Sequence, residues 1–223
     1  MSTMLDRAMT LAQRVVQKIR WVLRRDTNYR QLELFLPPGS KKKIEFSVPD
    51  RYCLRLYKDK DRDAVLDLMH RAGFIEWDGE TLRQAMDLFI PSGFYLALEK
   101  DTGTLVAMMA ARHVSDRRHP LGGDIGWLAA DSAHAGQGLG YIMTAAVTNR
   151  LIEANYGYIY VTTDDFRLPA IKTFTKAGFI PDLYHEEMHG RWESICITLD
   201  LPFQPQQWQK RKRELLENLQ NSG

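Results

Sequence analysis

The stretch Asp124-Ile125-Gly126-Trp127-Leu128-Ala129-Ala130-Asp131-Ser132-Ala133-His134-Ala135-Gly136-Gln137-Gly138-Leu139-Gly140 decides how this chain is read. A strand-like run ends in a loop carrying Gly136, Gly138 and Gly140, and a helical pattern starts there. Glycine lets backbone N–H groups approach an anion with no side chain in the way. A helix N-terminus adds unpaired donors and a partial positive charge. Together they form a cradle for a pyrophosphate. The loop lacks the Gly-Lys-Ser/Thr of a P-loop, which argues against a nucleoside triphosphate. It follows about four strand candidates, whereas a dinucleotide fingerprint follows the first strand of its domain.

Outward from this stretch, strands and helices alternate. Strands are expected at Arg51–Tyr57, Gly93–Glu99, Leu105–His113, Asp124–Ala130, Tyr156–Thr162 and Ser194–Leu201. Helices are expected at Asp61–Ala72 with Asp61 as N-cap, at Thr81–Phe89, from the glycine loop to about Ala154, at Leu168–Ala177 and in the tail from Trp208 to Leu219. This pattern predicts an α/β fold, a mixed sheet with helices on both faces.

A second segment narrows the reading: Thr162-Thr163-Asp164-Asp165-Phe166-Arg167-Leu168-Pro169-Ala170-Ile171-Lys172-Thr173-Phe174-Thr175-Lys176-Ala177-Gly178-Phe179. A strand ends, a helix begins, and the helix stops at Gly-Phe. In this order the two segments resemble the GNAT superfamily of acyl-CoA-dependent N-acyltransferases, over about residues 51–200. That family's loop reads Arg/Gln-x-x-Gly-x-Gly/Ala, and its later helix roughly Asn-x-x-Ala-Ile-x-Leu-Tyr-x-Lys-x-Gly-Phe. The resemblance implies a mostly antiparallel central sheet and acetyl-CoA, or another acyl-CoA, as co-substrate with a small-molecule amine as acceptor. It also implies residue roles. The backbone of Leu128, Ala129 and Ala130 would pair with the pantetheine arm where the family's fourth and fifth strands splay apart. The Ala130 N–H would hold the oxyanion. Ala135, Gly136, Gln137, Gly138, Leu139 and Gly140 would hold the pyrophosphate, and Arg167, Ala170 and Phe174 would flank the cofactor's reactive end.

The chain departs from the family pattern at three places. Ala135 stands at the loop's Arg/Gln position, Arg167 at the helix's Asn, and Phe174 at the Tyr that is proposed to protonate the leaving thiolate. A thiolate with a parent pKa of about 8.5 leaves tolerably well near neutral pH without such an acid. An alkylamine with a pKa of about 10 must lose a proton before attack, and Asp124 is the candidate base. Asp164, Asp165, Tyr184 and His185 are candidates for the acceptor pocket; for the two aspartates, helix N-capping is the competing role. No Ser-His-Asp or Cys-His arrangement is visible, so a covalent acyl-enzyme is disfavoured. The alternative function, suggested by Ala135 and Phe174, is a non-catalytic acyl-CoA sensor or scaffold.

Composition sets the remaining bounds. The 223 residues are 44% apolar and 26% charged, with a net charge of +2. Residues 1–51 carry 11 Lys/Arg against 5 Asp/Glu, while residues 52–223 carry 19 against 23. The basic part reads as an amphipathic helix at residues 4–25 followed by a Pro37-Pro38-Gly39-Ser40 linker. Three domains are expected: 1–50 as helix and linker, 51–203 as the catalytic unit, and 204–223 as a helical tail. The first helix would pack on the domain or on a second copy as a homodimer, bind anionic lipid, or act as a transit-like leader. No signal peptide or membrane span is expected. Cys53 and Cys196 read as free thiols in a reducing, cytoplasmic setting. The histidines and cysteines lack metal-ligand spacing, and there is no nucleic-acid module, so neither a metal nor nucleic acid is expected.

Overall fold

The computed structural model describes residues 29–39 and 42–221. The expected helix at residues 4–25 lies outside the described residues. Seven strands form one sheet: β1 (Leu32–Phe35), β2 (Tyr52–Leu56), β3 (Phe89–Glu99), β4 (Leu105–His113), β5 (Gly122–Ala130), β6 (Tyr158–Thr163) and β7 (Ile180–Pro181). Their spatial order is β2-β3-β4-β5-β6-β1-β7. Every neighbouring pair is antiparallel except β5 with β6. The α-helices among the described residues are α1 (Arg62–Arg71), α2 (Gly79–Met86), α3 (Leu139–Glu153), α4 (Leu168–Lys176), α5 (Glu187–Leu199) and α6 (Pro205–Gln220).

The strands bury both faces, as the alternation of β4 illustrates. Ala107, Met109 and Ala111 join the core shared with α3, α4 and α5, including Met143, Val147, Phe174 and Trp192. Met108 and Ala110 join the opposite core beneath α1 and α2, with Val65, Leu68, Met69 and Leu82. A third cluster, Phe35, Tyr158, Tyr160 and Leu215, lies beneath α6.

Two expectations need correcting. Ser194–Leu201 is not a strand, because Glu187–Leu199 forms α5. Its β-branched residues suggest a strand, but Met188, Trp192, Ile195 and Cys196 are buried at helical spacing. Asp61 sits at the N-cap position of α1 without capping it. Its carboxylate instead takes a two-pronged contact from Arg55, at 2.6 and 2.7 Å, and the Lys58 N–H at 2.8 Å.

The largest surprise is β1. Leu32–Phe35 lies in the segment read as a basic extension, yet it pairs with β6 from Leu32↔Thr163 to Phe35↔Tyr160 and with β7 on its other side. All four of its residues are buried. Burying Leu32, Leu34 and Phe35 is worth about 1.5–3 kcal/mol each as an upper estimate. The fourth, Glu33, is a charged side chain in a β-sheet core, which is costly unless it is partnered. It accepts from Arg118 Nη2 at 2.6 Å, faces His119 Nε2 at 2.9 Å, and receives the Tyr158 hydroxyl at 3.3 Å.

Candidate functional site

β5 is the strand read from sequence as the fourth, and β6 is its successor. They run parallel and pair only at Gly122↔Tyr158, Gly123↔Ile159 and Asp124↔Tyr160. β5 continues to Ala130 without β6, while its other edge stays paired with β4, through Met108↔Ala129 and Ala107↔Ala130. The parallel strands therefore splay after Asp124. Within the splay, Trp127 and Leu128 together oppose the single residue Met109, which is a β-bulge. Trp127 takes φ 61°, a left-handed conformation costing about 1–3 kcal/mol for a bulky residue. The bulge turns this part of β5 out of the regular ladder.

A cavity of about 240 Å³ fills the splay. Leu128, Ala170 and Phe174 line it and belong to the core on the α3–α4 side. Phe74 and Trp127 line it too, but belong to the core on the α1–α2 side. The cavity is thus bounded by side chains from both faces of the sheet. Arg112, Gln31, Thr162, Thr163, Asp164 and Arg167 supply its polar lining.

The glycine loop stands at the α3 side. Gly136 and Gly138 have φ of 78° and 75°, and a Cβ at either would meet nothing within 4 Å. Gly138 is the N-cap of α3 and offers no side chain to its first-turn N–H groups. Those donors, with the two left-handed glycines, fit a pyrophosphate. The loop is pinned ahead of the glycines. Asp131 accepts the Ala133 N–H at 2.9 Å and pairs with Arg71, and the Tyr52 hydroxyl meets His134 Nδ1 at 2.9 Å. Gly140 packs against Thr173 of α4, its would-be Cβ 3.5 Å from the hydroxyl, so loop and α4 adjoin.

Asp124 is buried beneath the splay and does not line the cavity; Arg112, its ion-pair partner, does. Gly126 leaves room for that guanidinium, since a Cβ there would fall 2.3 Å from Arg112 Nε. Burial pushes the Asp124 carboxyl above its usual range, against the pull of Arg112. Three atoms in this corner are buried without a hydrogen-bond partner among the described residues: Asp124 Oδ1, Arg112 Nε and Trp127 Nε1. The Arg112 guanidinium lies 5.1 Å from the Trp127 ring. Sequence reading missed Arg112, Trp127, Phe74 and Gln31. Only Trp127 lay within a quoted motif.

The acceptor candidates separate. Asp164 is buried, lines the cavity and does not cap α4, whose N-cap is Arg167. Asp165 points to Arg191, at 2.5 and 3.0 Å. Tyr184 and His185 are not at the cavity. Tyr184 donates to the Gln31 carbonyl at 2.5 Å and stands on a different groove, of about 850 Å³, with Arg117, Arg118, Lys212 and Trp208. That groove is larger, but it lacks the glycine loop and the strand splay. Among the described residues no group of three or more His, Cys, Asp or Glu could hold a metal.

Similarity to known proteins follows the same geometry. The chain is 30% identical over 146 residues to a mycothiol acetyltransferase of Nocardia farcinica, covering 61% of this chain and 48% of that protein. A mycothiol acetyltransferase of Rhodococcus erythropolis is 25% identical over 168 residues, covering 70% and 55%. The chain thus spans about half the length of these curated relatives. Among solved structures, a GCN5-related N-acetyltransferase from Sphaerobacter thermophilus superposes with a TM-score of 0.52 at 15% identity, over 73% of this chain and 53% of that one. A tandem GNAT protein from the clavulanic acid biosynthesis pathway gives 0.53 at 16%, over 67% and 49%. Both share the fold. Residues 53–179, from β2 to the end of the α4 turn, match the acetyltransferase (GNAT) family, and the chain belongs to that family.

Proposed function

We propose that this chain transfers an acetyl group from acetyl-CoA to the amine of a small molecule by direct attack. The observation that carries this reading is the β5–β6 splay, with its two-faced cavity and the uncapped, glycine-led start of α3 beside it. Acetyl-CoA would supply the acyl thioester. Residues Gly136 to Gly140 would hold its pyrophosphate, and the free edge of Leu128–Ala130 its pantetheine arm. The Ala130 N–H would steady the oxyanion, which favours the transition state over the ground state. The amine nitrogen forms the new C–N bond as the C–S bond breaks and the thiolate leaves. We assign the amine proton to Asp124, through the Oδ1 that Arg112 leaves open and by way of a water. The relatives named mycothiol acetyltransferase favour an acceptor of that kind, a low-molecular-weight compound.

Calorimetric titration with acetyl-CoA, with NADH and ATP as controls, tests the cofactor. Saturable binding of acetyl-CoA alone is expected. Gly138→Asp should weaken it by about 100-fold or more, because it sets a carboxylate against the pyrophosphate on a left-handed backbone. Binding without consumption of the thioester by any amine would move the non-catalytic sensor reading forward.

A further inference from the structure

The family match begins at residue 53, yet part of the cavity wall comes from upstream of it. Gln31 lines the cavity just before β1. Its Nε2 donates to Asp164 Oδ1 at 3.2 Å, and the Tyr29 hydroxyl donates to the same oxygen at 3.4 Å. Arg167 Nε meets the other oxygen of Asp164 at 3.3 Å, and its guanidinium lies 4.8 Å from the Phe74 ring. Phe74 in turn meets Trp127 edge-on, with centroids 6.2 Å apart. These contacts make one continuous wall, and it reaches the α1–α2 side. The glycine loop and the body of α4, with Ala170 and Phe174, lie on the α3 side, and Arg167 at the N-cap of α4 is where the two sides meet, so the wall faces what the cofactor would leave free.

The segment is firmly held. Tyr184 donates to the Gln31 carbonyl and Arg191 Nη1 to the Arg30 carbonyl, the latter at 2.8 Å. Two residues on, Glu33 is locked in the core. The Gln31 side chain is nevertheless exposed, so replacing it leaves the core undisturbed.

We propose that Gln31 is a specificity-determining residue of the acceptor site, setting which charge is accepted beside the reacting amine. The assignment rests on the acyltransferase reading. Asp164 and Arg167 already offset each other in this wall, and Gln31, a neutral amide against the Asp164 carboxylate, adds no net charge to it. A carboxylate there would favour a cationic acceptor, and an ammonium would favour an anionic one.

The test uses the full chain and three acceptors of one skeleton: L-alaninamide, L-alanine and 1,2-diaminopropane. They carry a neutral, an anionic and a cationic group beside the amine. Gln31→Glu should raise kcat/KM for the diamine relative to L-alanine by about tenfold, and Gln31→Lys should lower that ratio by a similar factor. The KM for acetyl-CoA should stay within about twofold of wild type, since the cofactor would lie on the other face. Equal changes for all three acceptors, or an unchanged ratio of diamine to L-alanine in both variants, would overturn the assignment, because a merely structural role moves all acceptors together. If wild-type chain binds acetyl-CoA yet consumes it neither with these three nor with any other amine, the acyltransferase reading itself fails, and this assignment with it.

Discussion

At the scale of single residues, the site shows how a family pattern can lose one side chain and keep its backbone. Ala135 removes an amide or guanidinium from the glycine loop, but the donors of Gly136 to Gly140 need no side chain. Phe174 is a different loss: it is buried, it lines the cavity, and it cannot give a proton. Phe174→Tyr should therefore raise kcat most where the leaving thiol most needs an acid. A gain of about several-fold is expected below pH ~8, shrinking toward none above the thiol pKa of about 8.5. A pH profile of kcat for both proteins measures it, and parallel profiles would mean that thiolate departure does not limit the rate. Asp124→Asn adds a second reading at this scale. If Asp124 takes the amine proton, kcat should fall by about 10²–10⁴-fold and become dependent on the amine's own ionisation.

At the scale of elements, the strands and helices flanking the glycine loop were legible because their signals are local. Leu105–His113 forms β4 with the bounds its pattern predicts, and β5 and β6 part after Asp124, between the strands where the family resemblance implies a splay. Where reading failed, the deciding information lay far away in sequence. Gln31-Leu32-Glu33-Leu34-Phe35 is too short for its alternation to announce a strand, and a central glutamate argues against burial. Its partners, Arg118, His119 and Tyr158, are invisible from within that window. Arg112 and Phe74 were missed for the same reason: their role comes from a bulge and a cavity, not from a motif. The placement of β1 predicts that a chain starting at residue 51 will not form the native sheet, whereas one starting at residue 29 will. Circular dichroism and thermal melting of the two truncations decide it. Within the full chain, Leu34→Ala should cost about 2–5 kcal/mol, read from denaturant midpoints.

At the scale of the whole molecule, the buried charges give stability a pH signature. His119 sits between two carboxylates, with Nε2 2.9 Å from Glu33 and Nδ1 2.9 Å from Asp116, and stacks 3.9 Å from the Tyr160 ring. Arg118, Tyr158 and Asp124 surround the same pair. Burial opposes the imidazolium, but the Glu33 and Asp116 contacts outweigh it and raise its pKa above 6.5. Burial likewise opposes the Glu33 carboxylate, and here His119, Arg118 and Lys212 hold its pKa below 4.5. A raised histidine stabilises fully below its unfolded pKa and loses that contribution as pH rises through the folded value. A lowered carboxylate stabilises above its unfolded pKa and loses it as pH falls. The pair therefore contributes most between about pH 4.5 and 6.5. Tm should therefore fall as pH rises beyond that window. His119→Gln should flatten this alkaline limb; an unchanged limb would place the effect elsewhere.

The sheet also imposes an order of assembly. β1 leaves the ribosome before any other strand described here, yet its neighbours are Thr163 to Tyr160 on one side and Ile180 to Pro181 on the other. Closing a loop that long costs entropy before any contact is gained. Of the described strands it is the one that must wait, unpaired, while α1 through α4 take shape, and it is among the last to be seated. Leu32, Leu34 and Phe35 are exposed throughout that interval. The segment that completes the acceptor wall is thus also the one by which a nascent chain is most open to capture by a chaperone or by a neighbouring copy.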